Sequence, residues 1–345
     1  MKLLVVKLSS LGDVVHTFAF VNHLKKERPD ISVDWVVNDM YAGLVKCNSG
    51  VGRVWHFKRG TWGKQWNSPS TFSEITSLLS WIRKEKYDVC LDMQGLLRSG
   101  LLTFFSGAGK KAGFANAREG SKYLYDTRID AGEKPHAADI LLRSLEIFNV
   151  TPPEKPDFRF TIPEKAESSV KKLMAELGIS GPYMVFHTGA RWDTKMWSVS
   201  HWSVLAKAVA NKSKMPLVFT GSAADAAVIN AIIAGQGRMF NLAGGLGLVE
   251  SAALLKNCAL MVTVDSGPMH IAAAFDRPIV AIFGPTSPAK TGPVTQGPAD
   301  IIQQGHIGCV PCFDRKCKRN YECMEKISPD MVEFRVMRIL SHLGL

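Results

Sequence analysis

The sequence predicts an α/β protein made of two successive α/β units, and three observations support this fold class. Short apolar runs such as Leu260 to Val264 are followed by a polar turn and then a helical pattern, which is typical of buried parallel strands. This arrangement occurs in both halves of the chain. The stretch 150–163 carries four prolines and is the best candidate for a linker between the halves.

The length of 345 residues suits two domains, because single cores seldom grow beyond about 250–300 residues. We expect an N-terminal domain over 1–155, a C-terminal domain over 156–328 and a final amphipathic helix over 329–345 that packs back on the body. No apolar run reaches the roughly 18–20 residues needed to span a bilayer. The start, MKLLVVKL, is predicted to be a first strand and not a signal peptide, so a cytoplasmic protein is expected.

A formal net charge of +11 favours anionic partners such as nucleic acid, anionic lipid or a phosphorylated glycan. The segment 53–66, RVWHFKRGTWGKQW, interleaves basic residues with tryptophans. That pattern suits a membrane interface or an anionic sugar-lipid, or stacking on nucleic acid. A partly packed surface loop explains it equally well.

The first predicted strand, 2–8, ends in a turn that contains Gly12 and Asp13, before a helix from Val14 to Lys26. This turn has one glycine where the dinucleotide fingerprint needs three, which argues against a NAD(P)-linked oxidoreductase. From local sequence Asp13 is either a helix N-cap or a catalytic base.

Further elements predicted in the first half are strands at 33–37, 54–57 and 89–92 and helices at 71–86 and 137–149. The strand 89–92 ends with polar residues at the same edge of a sheet as the first strand. The turn after strand 89–92 contains a glycine and Arg98, and Lys110, Lys111 and Arg118 add positive charge before the next turn.

The second half repeats the pattern of strand, polar turn and helix. Strands are predicted at 183–187, 216–220, 260–264 and 279–283, and helices at 164–177, 200–211, 249–256 and 269–275. The carboxyl edge of an open parallel sheet binds ligands, and a helix N-terminus there favours phosphate. Lys195 is then a phosphate ligand or a solvated lysine, and Asp225 is a ribose ligand or an acid favoured by the helix dipole.

Four of the seven cysteines follow the spacing C-x2-C-x4-C-x5-C: Cys309, Cys312, Cys317 and Cys323. They could hold zinc, form a redox disulfide or simply pack, and the spacing is not that of a standard zinc finger. The other three, Cys47, Cys90 and Cys258, are predicted to be buried small hydrophobes.

Five stretches, in order along nearly the whole chain, resemble the ADP-heptose:lipopolysaccharide heptosyltransferases of glycosyltransferase family 9. They are VKLSSLGDVVHT (6–17), DMQGLLRSG (92–100), HTGARWDTKMWS (187–198), FTGSAADA (219–226) and VDSGPMHIAAAFDRPIVAIFGPT (264–286). The resemblance implies the GT-B fold, in which two Rossmann-like lobes enclose an active-site cleft. It also implies sugar transfer with inversion and without a metal or other cofactor.

The resemblance assigns roles by position. Asp13 matches the catalytic base. The donor-binding residues are Thr188, Lys195, Asp225, Asp265, Ser266, Gly267 and His270. Asp225 stands where the family has a glutamate, and Ser266 where some members have threonine. Three arginines on acceptor-lobe segments, Arg59, Arg98 and Arg118, are candidates for Kdo carboxylates or lipid A phosphates.

The expected activity is therefore transfer of heptose from ADP-heptose to the Kdo of Kdo-lipid A. DWVV at 34–37 and AREGSKYLYD at 117–126 most resemble heptosyltransferase I, whereas the segment GCVPCFDRKCKRNYEC (308–323) resembles heptosyltransferase II. The alternative is thus heptosyltransferase II or another family 9 enzyme. A peripheral position on the inner face of the cytoplasmic membrane is expected from the lipid acceptor. Nucleic acid is not an expected partner.

Overall fold

A computed structural model describes residues 1–65, 67–133 and 136–345. The chain divides into two compact units, an N-terminal unit Met1–Thr161 and a C-terminal unit Ile162–Leu345. Trp66, the last tryptophan of the segment that alternates basic residues with tryptophans, lies outside the described residues.

The N-terminal unit alternates strands and helices. Its strands are β1 (Lys2–Val6), β2 (Ser32–Asn38), β3 (Val51–Phe57), β4 (Val89–Asp92), β5 (Lys110–Phe114) and β6 (Thr127–Ile129). Its helices are α1 (Leu11–Glu27), α2 (Asp39–Val45), α3 (Arg59–Lys64), α4 (Pro69–Lys84), α5 (Leu97–Phe105) and α6 (Ala137–Leu142). In the described part of this unit the strands form one parallel sheet in the order β3-β2-β1-β4-β5-β6.

The strand order reverses between β1 and β4, because successive strands are added outward from this pair on opposite sides. In doubly wound sheets the carboxyl ends of such a pair form the ligand-binding crevice. The residues of β1 and β4 are almost wholly apolar and buried, as strands covered by helices on both faces require.

The proline-rich stretch predicted as a linker lies against α1. Phe160 packs on Phe18 with ring centroids 5.1 Å apart, and Phe158 lies 5.7 Å from the ring of His16. Asn22 of α1 donates two hydrogen bonds of 2.9 Å to backbone carbonyls of this stretch. Both phenylalanines are buried, so this part of the stretch contributes to the core of the N-terminal unit.

The two described tryptophans of the segment 53–66 have packing roles. Trp62 is buried, stacks edge-on against Phe57 at 4.9 Å and donates to Glu74 Oε2 at 2.8 Å. Trp55 donates to the hydroxyl of Tyr87 at 2.9 Å. For these two rings the packing alternative describes the structure, and the predicted loop is largely the strand β3 and the short helix α3.

The C-terminal unit repeats the architecture. Its strands are β7 (Met184–His187), β8 (Leu217–Thr220), β9 (Met239–Asn241), β10 (Leu260–Val264), β11 (Ile279–Phe283) and β12 (Ala299–Gln303). Its helices are α7 (Glu164–Glu176), α8 (Val199–Ser213), α9 (Ala226–Ile233), α10 (Leu248–Asn257), α11 (Gly267–Ala274), α12 (Pro288–Thr291), α13 (Glu322–Glu325) and α14 (Pro329–His342). Among the described residues these strands also form one parallel sheet, in the order β12-β11-β10-β7-β8-β9.

The final helix packs on the C-terminal unit, as the amphipathic pattern predicts. Val332, Val336, Ile339 and Leu340 of α14 belong to the same buried cluster as Trp202 of α8 and the strand residues of the sheet. The two parallel sheets and this helix confirm the predicted α/β fold class.

The sequence missed the short or partly exposed elements. These are β5, β6, β9 and β12 and the helices α2, α3, α5, α12 and α13, whereas the helix predicted to start near Asp225 is α9. The helix predicted over 137–149 is α6 followed by a 3₁₀ turn, Arg143–Phe148. Strands of three residues leave no pattern, and the two lysines that open β5 resemble a charged loop.

None of the helices in the described ranges is both long enough and apolar enough to cross a membrane.

The contact of Phe160 with α1 can be tested by replacing its side chain with a smaller one. Phe160→Ala removes a buried aromatic ring and should lower the free energy of unfolding by about 3–5 kcal/mol, as large-to-small core changes do. Phe72→Ala is the matched control, because Phe72 is 71% exposed and its loss should change stability by less than about 0.5 kcal/mol. Urea unfolding of the full chain measures both. Equal stability of the two variants would contradict the packing role of residues 158–160.

Candidate active site

The carboxylate of Asp13 is fixed at the strand-order reversal of the N-terminal unit. Asp13 lies in the first turn of α1, where its Oδ2 accepts hydrogen bonds from the backbone N–H of Ser10 at 2.9 Å and from its hydroxyl at 2.7 Å. These bonds are a helix cap. The N-cap residue of α1 is Ser10, so the prediction of Asp13 as the N-cap is wrong by three positions, and Asp13 is instead the capping-box partner of Ser10. Because these bonds orient the carboxylate, a catalytic role remains compatible with them.

Lys7 is a residue of this site that the sequence analysis missed. Its side chain is only 7% exposed, and its Nζ lies 3.9 Å from Asp13 Oδ1. The ammonium group also donates to the carbonyl oxygen of Met93 at 2.9 Å. A buried cation at this distance stabilises negative charge on the neighbouring carboxylate. A lysine at the end of an otherwise apolar strand was the sequence signal.

Gln94 joins the ends of β1 and β4. Its Oε1 accepts hydrogen bonds from the backbone N–H groups of Leu8 at 3.2 Å and Ser9 at 2.8 Å. Gln94 is itself placed by Asp92, whose Oδ1 accepts its backbone N–H at 2.8 Å. The turn that leads to Asp13 is thus held by the neighbouring strand.

Asp92 is the buried anchor of that neighbouring turn. Its Oδ2 accepts a hydrogen bond of 2.7 Å from the hydroxyl of Tyr125. Burial raises the pKa of the Asp92 carboxyl, and the hydrogen bonds from Tyr125 and the backbone N–H of Gly95 act in the opposite direction.

The three candidate acceptor arginines follow strands of the same parallel sheet. Arg59 opens α3 after β3, Arg98 lies in the first turn of α5 after β4, and Arg118 lies in the loop after β5. Arg98 and Arg118 are exposed, and the backbone N–H of Arg118 donates to the carbonyl oxygen of Gly95 at 2.9 Å. Because all these strands are parallel, the arginines and Asp13 belong to one sheet edge.

In the C-terminal unit, Lys195 and Asp265 form an ion pair at the corresponding edge. Lys195 Nζ lies 2.6 Å from Asp265 Oδ2, with side chains 16% and 6% exposed. The hydroxyl of Thr286 donates to the same carboxylate oxygen at 2.5 Å. Lys195 is therefore not the solvated lysine of the alternative interpretation. Thr286 was not among the predicted site residues, although it ends the motif that follows β11.

The other predicted donor residues follow strands of the same parallel sheet. Thr188 follows β7 and is buried, while Ser266, Gly267 and His270 form the start of α11 directly after β10. Ser266 is the N-cap residue of α11, and its Oγ lies 3.0 Å from Thr263 Oγ1. The N-terminus of α11 thus opens at the edge that carries Asp265, where backbone N–H groups favour an anion.

Asp225 lies beside the ends of β7 and β8. Its Oδ2 accepts the backbone N–H and the hydroxyl of Ser222, each at 2.7 Å. Gly189 and Gly221 lie in the turns that follow these strands, and a Cβ atom at Gly221 would lie 2.8 Å from the Cβ of Asp225. The close approach requires glycine there. Asp225 lies in a first helical turn, as the helix-dipole alternative predicted, and it is also the capping-box partner of Ser222 at the ligand edge.

The four C-terminal cysteines line one small cavity together with Thr194 and Pro285. All four are free thiols. Among the described residues no three His, Cys, Asp or Glu side chains are arranged to hold a metal ion together. Burial and the neighbouring cysteines raise the pKa of the Cys323 thiol to about 11. The cavity connects this segment to residues adjacent to Lys195 and Thr286.

The fold and the two sheet edges define an α/β enzyme of the kind that binds a nucleotide at a strand-order reversal. The glycosyltransferase family 9 (heptosyltransferase) model matches residues 75–322. The lipopolysaccharide heptosyltransferase 1 of Pseudomonas aeruginosa is 29% identical over 322 residues, which cover 92% of this chain and 87% of that relative. The lipooligosaccharide heptosyltransferase 2 of Haemophilus influenzae is 27% identical and covers 99% of this chain and 100% of its own length.

A solved structure of Escherichia coli heptosyltransferase WaaC with ADP has the same fold. Its TM-score is 0.80 at 23% identity, and the match covers 98% of this chain and 100% of the other. The chain belongs to glycosyltransferase family 9, so it is a glycosyltransferase, and its two Rossmann-like units are those of the predicted GT-B fold.

His187, the last residue of β7, gives a pH test of the sheet edge that carries Lys195 and Asp265. Burial lowers the pKa of His187 to about 4, although the Asp225 carboxylate opposes this effect. An unfolded histidine takes up its proton near pH 6.5. The unfolded state therefore binds more protons between pH 6.5 and 4, and stability should fall across that window by up to about 3 kcal/mol.

Chemical denaturation of wild type and His187→Gln at pH 7.5, 6, 5 and 4 measures this contribution. The wild type should lose more stability on acidification than the variant, because glutamine does not titrate. Parallel curves for the two proteins would show that His187 does not contribute to the pH dependence.

Proposed function

We propose that this glycosyltransferase transfers L-glycero-D-manno-heptose from ADP-heptose to the Kdo of the lipopolysaccharide inner core, which is the reaction of heptosyltransferase I. The observation that carries the proposal is the Asp13 carboxylate, which accepts a hydrogen bond from Ser10 and lies beside buried Lys7 at a sheet edge. In a family 9 chain this is a carboxylate prepared to accept a proton from the acceptor hydroxyl.

In the acceptor half of the reaction, Asp13 is assigned as the general base. Its carboxylate takes the proton of the acceptor hydroxyl as that oxygen attacks the anomeric carbon of the heptose, and the configuration inverts. Ser10 fixes the orientation of the carboxylate through two hydrogen bonds. Lys7 lies 3.9 Å from its other oxygen and places a positive charge beside the carboxylate that accepts the proton.

The donor half places ADP as the leaving group at the edge of the C-terminal unit. The bond from the anomeric carbon to the diphosphate oxygen breaks, and negative charge grows on the diphosphate. Lys195, the hydroxyls of Thr188 and Ser266, and the N-terminus of α11 supply positive charge and donors. Such preorganised groups stabilise a leaving diphosphate without requiring a metal. Asp225 is assigned to the ribose hydroxyls, and Asp265 and His270 to the donor sugar and diphosphate.

Heptosyltransferase II is the alternative within the same family. The relative in Haemophilus influenzae that bears that name aligns over 99% of this chain, and the cysteine segment supports this alternative. The relative in Pseudomonas aeruginosa named heptosyltransferase 1 has slightly higher identity, 29% against 27%. We favour heptosyltransferase I, with Kdo as the acceptor sugar.

Transfer of heptose from ADP-heptose to Kdo2-lipid A, with EDTA present, tests the proposal. Asp13→Asn keeps an oxygen that can cap α1 but cannot act as a base, so kcat should fall at least about 100-fold while thermal stability changes little. In the same assay Arg98→Ala and Arg118→Ala should raise the KM for the acceptor instead, since these arginines are assigned to its anionic groups.

Glu250→Gln is the matched control for Asp13→Asn. Glu250 also caps a helix, because its Oε2 accepts the backbone N–H of Gly247 at 2.6 Å, and this variant should retain most of the activity. An active Asp13→Asn enzyme would leave Asp13 with its capping role alone. Transfer to a heptosylated core acceptor, and not to Kdo2-lipid A, would establish the alternative.

We also propose that the protein binds peripherally to the cytoplasmic face of the inner membrane, where a lipid A acceptor lies. The support is α5, which exposes Leu97, Leu101, Phe104 and Phe105, each by 40–47%, and carries Arg98. Exposed apolar side chains next to positive charge suit an anionic lipid surface. The tryptophans of 53–66 contribute less to this proposal, since Trp62 is buried.

Flotation with vesicles tests the membrane proposal. Wild type should float with vesicles containing phosphatidylglycerol and much less with phosphatidylcholine alone. The variant Leu101→Ser/Phe104→Ser should lose most of this binding. Phe334→Ser is the control, because Phe334 is 63% exposed on α14 in the other unit. Absence of wild-type flotation with both lipids, or equal loss in the control, would contradict the assignment of α5.

A further inference from the structure

Two cations lie against the same tryptophan in the C-terminal unit. Lys195 Nζ lies 4.8 Å from the ring centroid of Trp192, and the guanidinium carbon of Arg315 lies 5.1 Å from it. Lys195 is already part of the proposed donor site, whereas Arg315 lies on the loop between Cys312 and Cys317 and has no role in the donor site described above.

This loop is hydrogen-bonded to two segments of the donor site, one next to Lys195 and one next to Thr286. The backbone carbonyl oxygen of Asp314 accepts a hydrogen bond of 2.8 Å from the hydroxyl of Thr194, the neighbour of Lys195. The backbone N–H of Phe313 donates to the carbonyl oxygen of Pro285 at 2.8 Å, next to Thr286. These two contacts, made by the residues directly before Arg315, hold the loop next to Thr194 and Pro285, the neighbours of Lys195 and Thr286.

The cysteine-lined cavity lies next to both ends of the loop. Cys312 and Cys317, which bracket the loop, line the cavity together with Thr194 and Pro285, the two residues to which the loop is bonded. Backbone N–H groups of Arg319 and Tyr321 donate to the Cys317 sulfur at 3.3 and 3.2 Å. The cysteine segment thus has a structural consequence, because it fixes where the loop and Arg315 lie.

Lys195 alone does not supply enough positive charge for a diphosphate, so a second cation is needed. Lys195 is paired at 2.6 Å with the buried carboxylate of Asp265, so much of its charge is already compensated before a ligand binds. A nucleoside diphosphate brings more than one negative charge, and a leaving diphosphate needs positive charge that is not already neutralised. Arginine suits this task because its planar guanidinium donates to two phosphate oxygens at once.

We propose that Arg315 is a diphosphate-binding residue of the donor site and acts with Lys195 from the other cation position on Trp192. The proposal rests on the proposed function, since it names a further ligand of the same nucleotide. It extends the donor site to the cysteine segment. Trp192 sets the spacing of the two cations, and the loop 313–316 carries the second one.

Titration calorimetry of the full chain with ADP tests this proposal apart from turnover. Arg315→Ala should weaken ADP binding at least tenfold and reduce its dependence on salt concentration, because one ionic contact is lost. Arg315→Lys should recover part of the affinity, since it keeps the charge without the planar fork. Lys316→Ala is the matched control, an exposed cation of the same loop, and should bind ADP as wild type does.

The outcomes separate this proposal from the proposed function. Wild-type binding of ADP with unchanged affinity in Arg315→Ala overturns the role of Arg315 and leaves the ADP-sugar donor in place. Wild type that binds UDP or GDP but not ADP overturns the donor assignment, and Arg315→Ala is then judged on the nucleotide that binds. Equal weakening in Arg315→Ala and Lys316→Ala overturns the specific role of Arg315. Binding of none of the three nucleotides overturns both proposals.

Discussion

The parallel pairing of β7 with β10 is the constraint on which the donor edge depends. The register places His187 opposite Thr263, so both strands reach the carboxyl edge together. Thr188 follows directly on one strand, and Asp265 with the start of α11 follows on the other. Both strands are buried and apolar up to this point, so hydrophobic burial fixes the register, and the register brings residues distant in sequence to one edge.

The N-terminal unit uses the same constraint for a different chemical purpose. Val6 pairs with Asp92 across β1 and β4, so Lys7 lies beside Met93 and donates to its carbonyl oxygen. That contact holds a cation near Asp13. One strand-order reversal therefore presents the Asp13 carboxylate beside Lys7, whereas the reversal in the other unit presents the Lys195–Asp265 pair beside a helix N-terminus. The two units share a fold and differ in the side chains that they place at its carboxyl edge.

The sequence alone predicted the strands that are buried along nearly their whole length. The strands β1, β4, β7, β10 and β11 are apolar runs, and each was predicted with bounds within two residues of those observed. The short strand β6 and the half-exposed β12 carry no such pattern, since they are stabilised mainly by neighbours already in place. Side-chain partners were also beyond local sequence. The Lys195–Asp265 pair joins positions 70 residues apart, and only strand register brings them together.

The dual role of the acidic residues follows from the same geometry. Asp13 and Asp225 each accept two hydrogen bonds from a serine three residues earlier, so each satisfies backbone donors at the start of a helical turn. Helices that follow parallel strands always begin at the ligand edge, and a cap there is also a carboxylate fixed at the site. Capping and catalysis are therefore not competing explanations at such a position. The cap removes conformational freedom from the side chain, and a fixed orientation is what a catalytic or ligand-binding carboxylate needs.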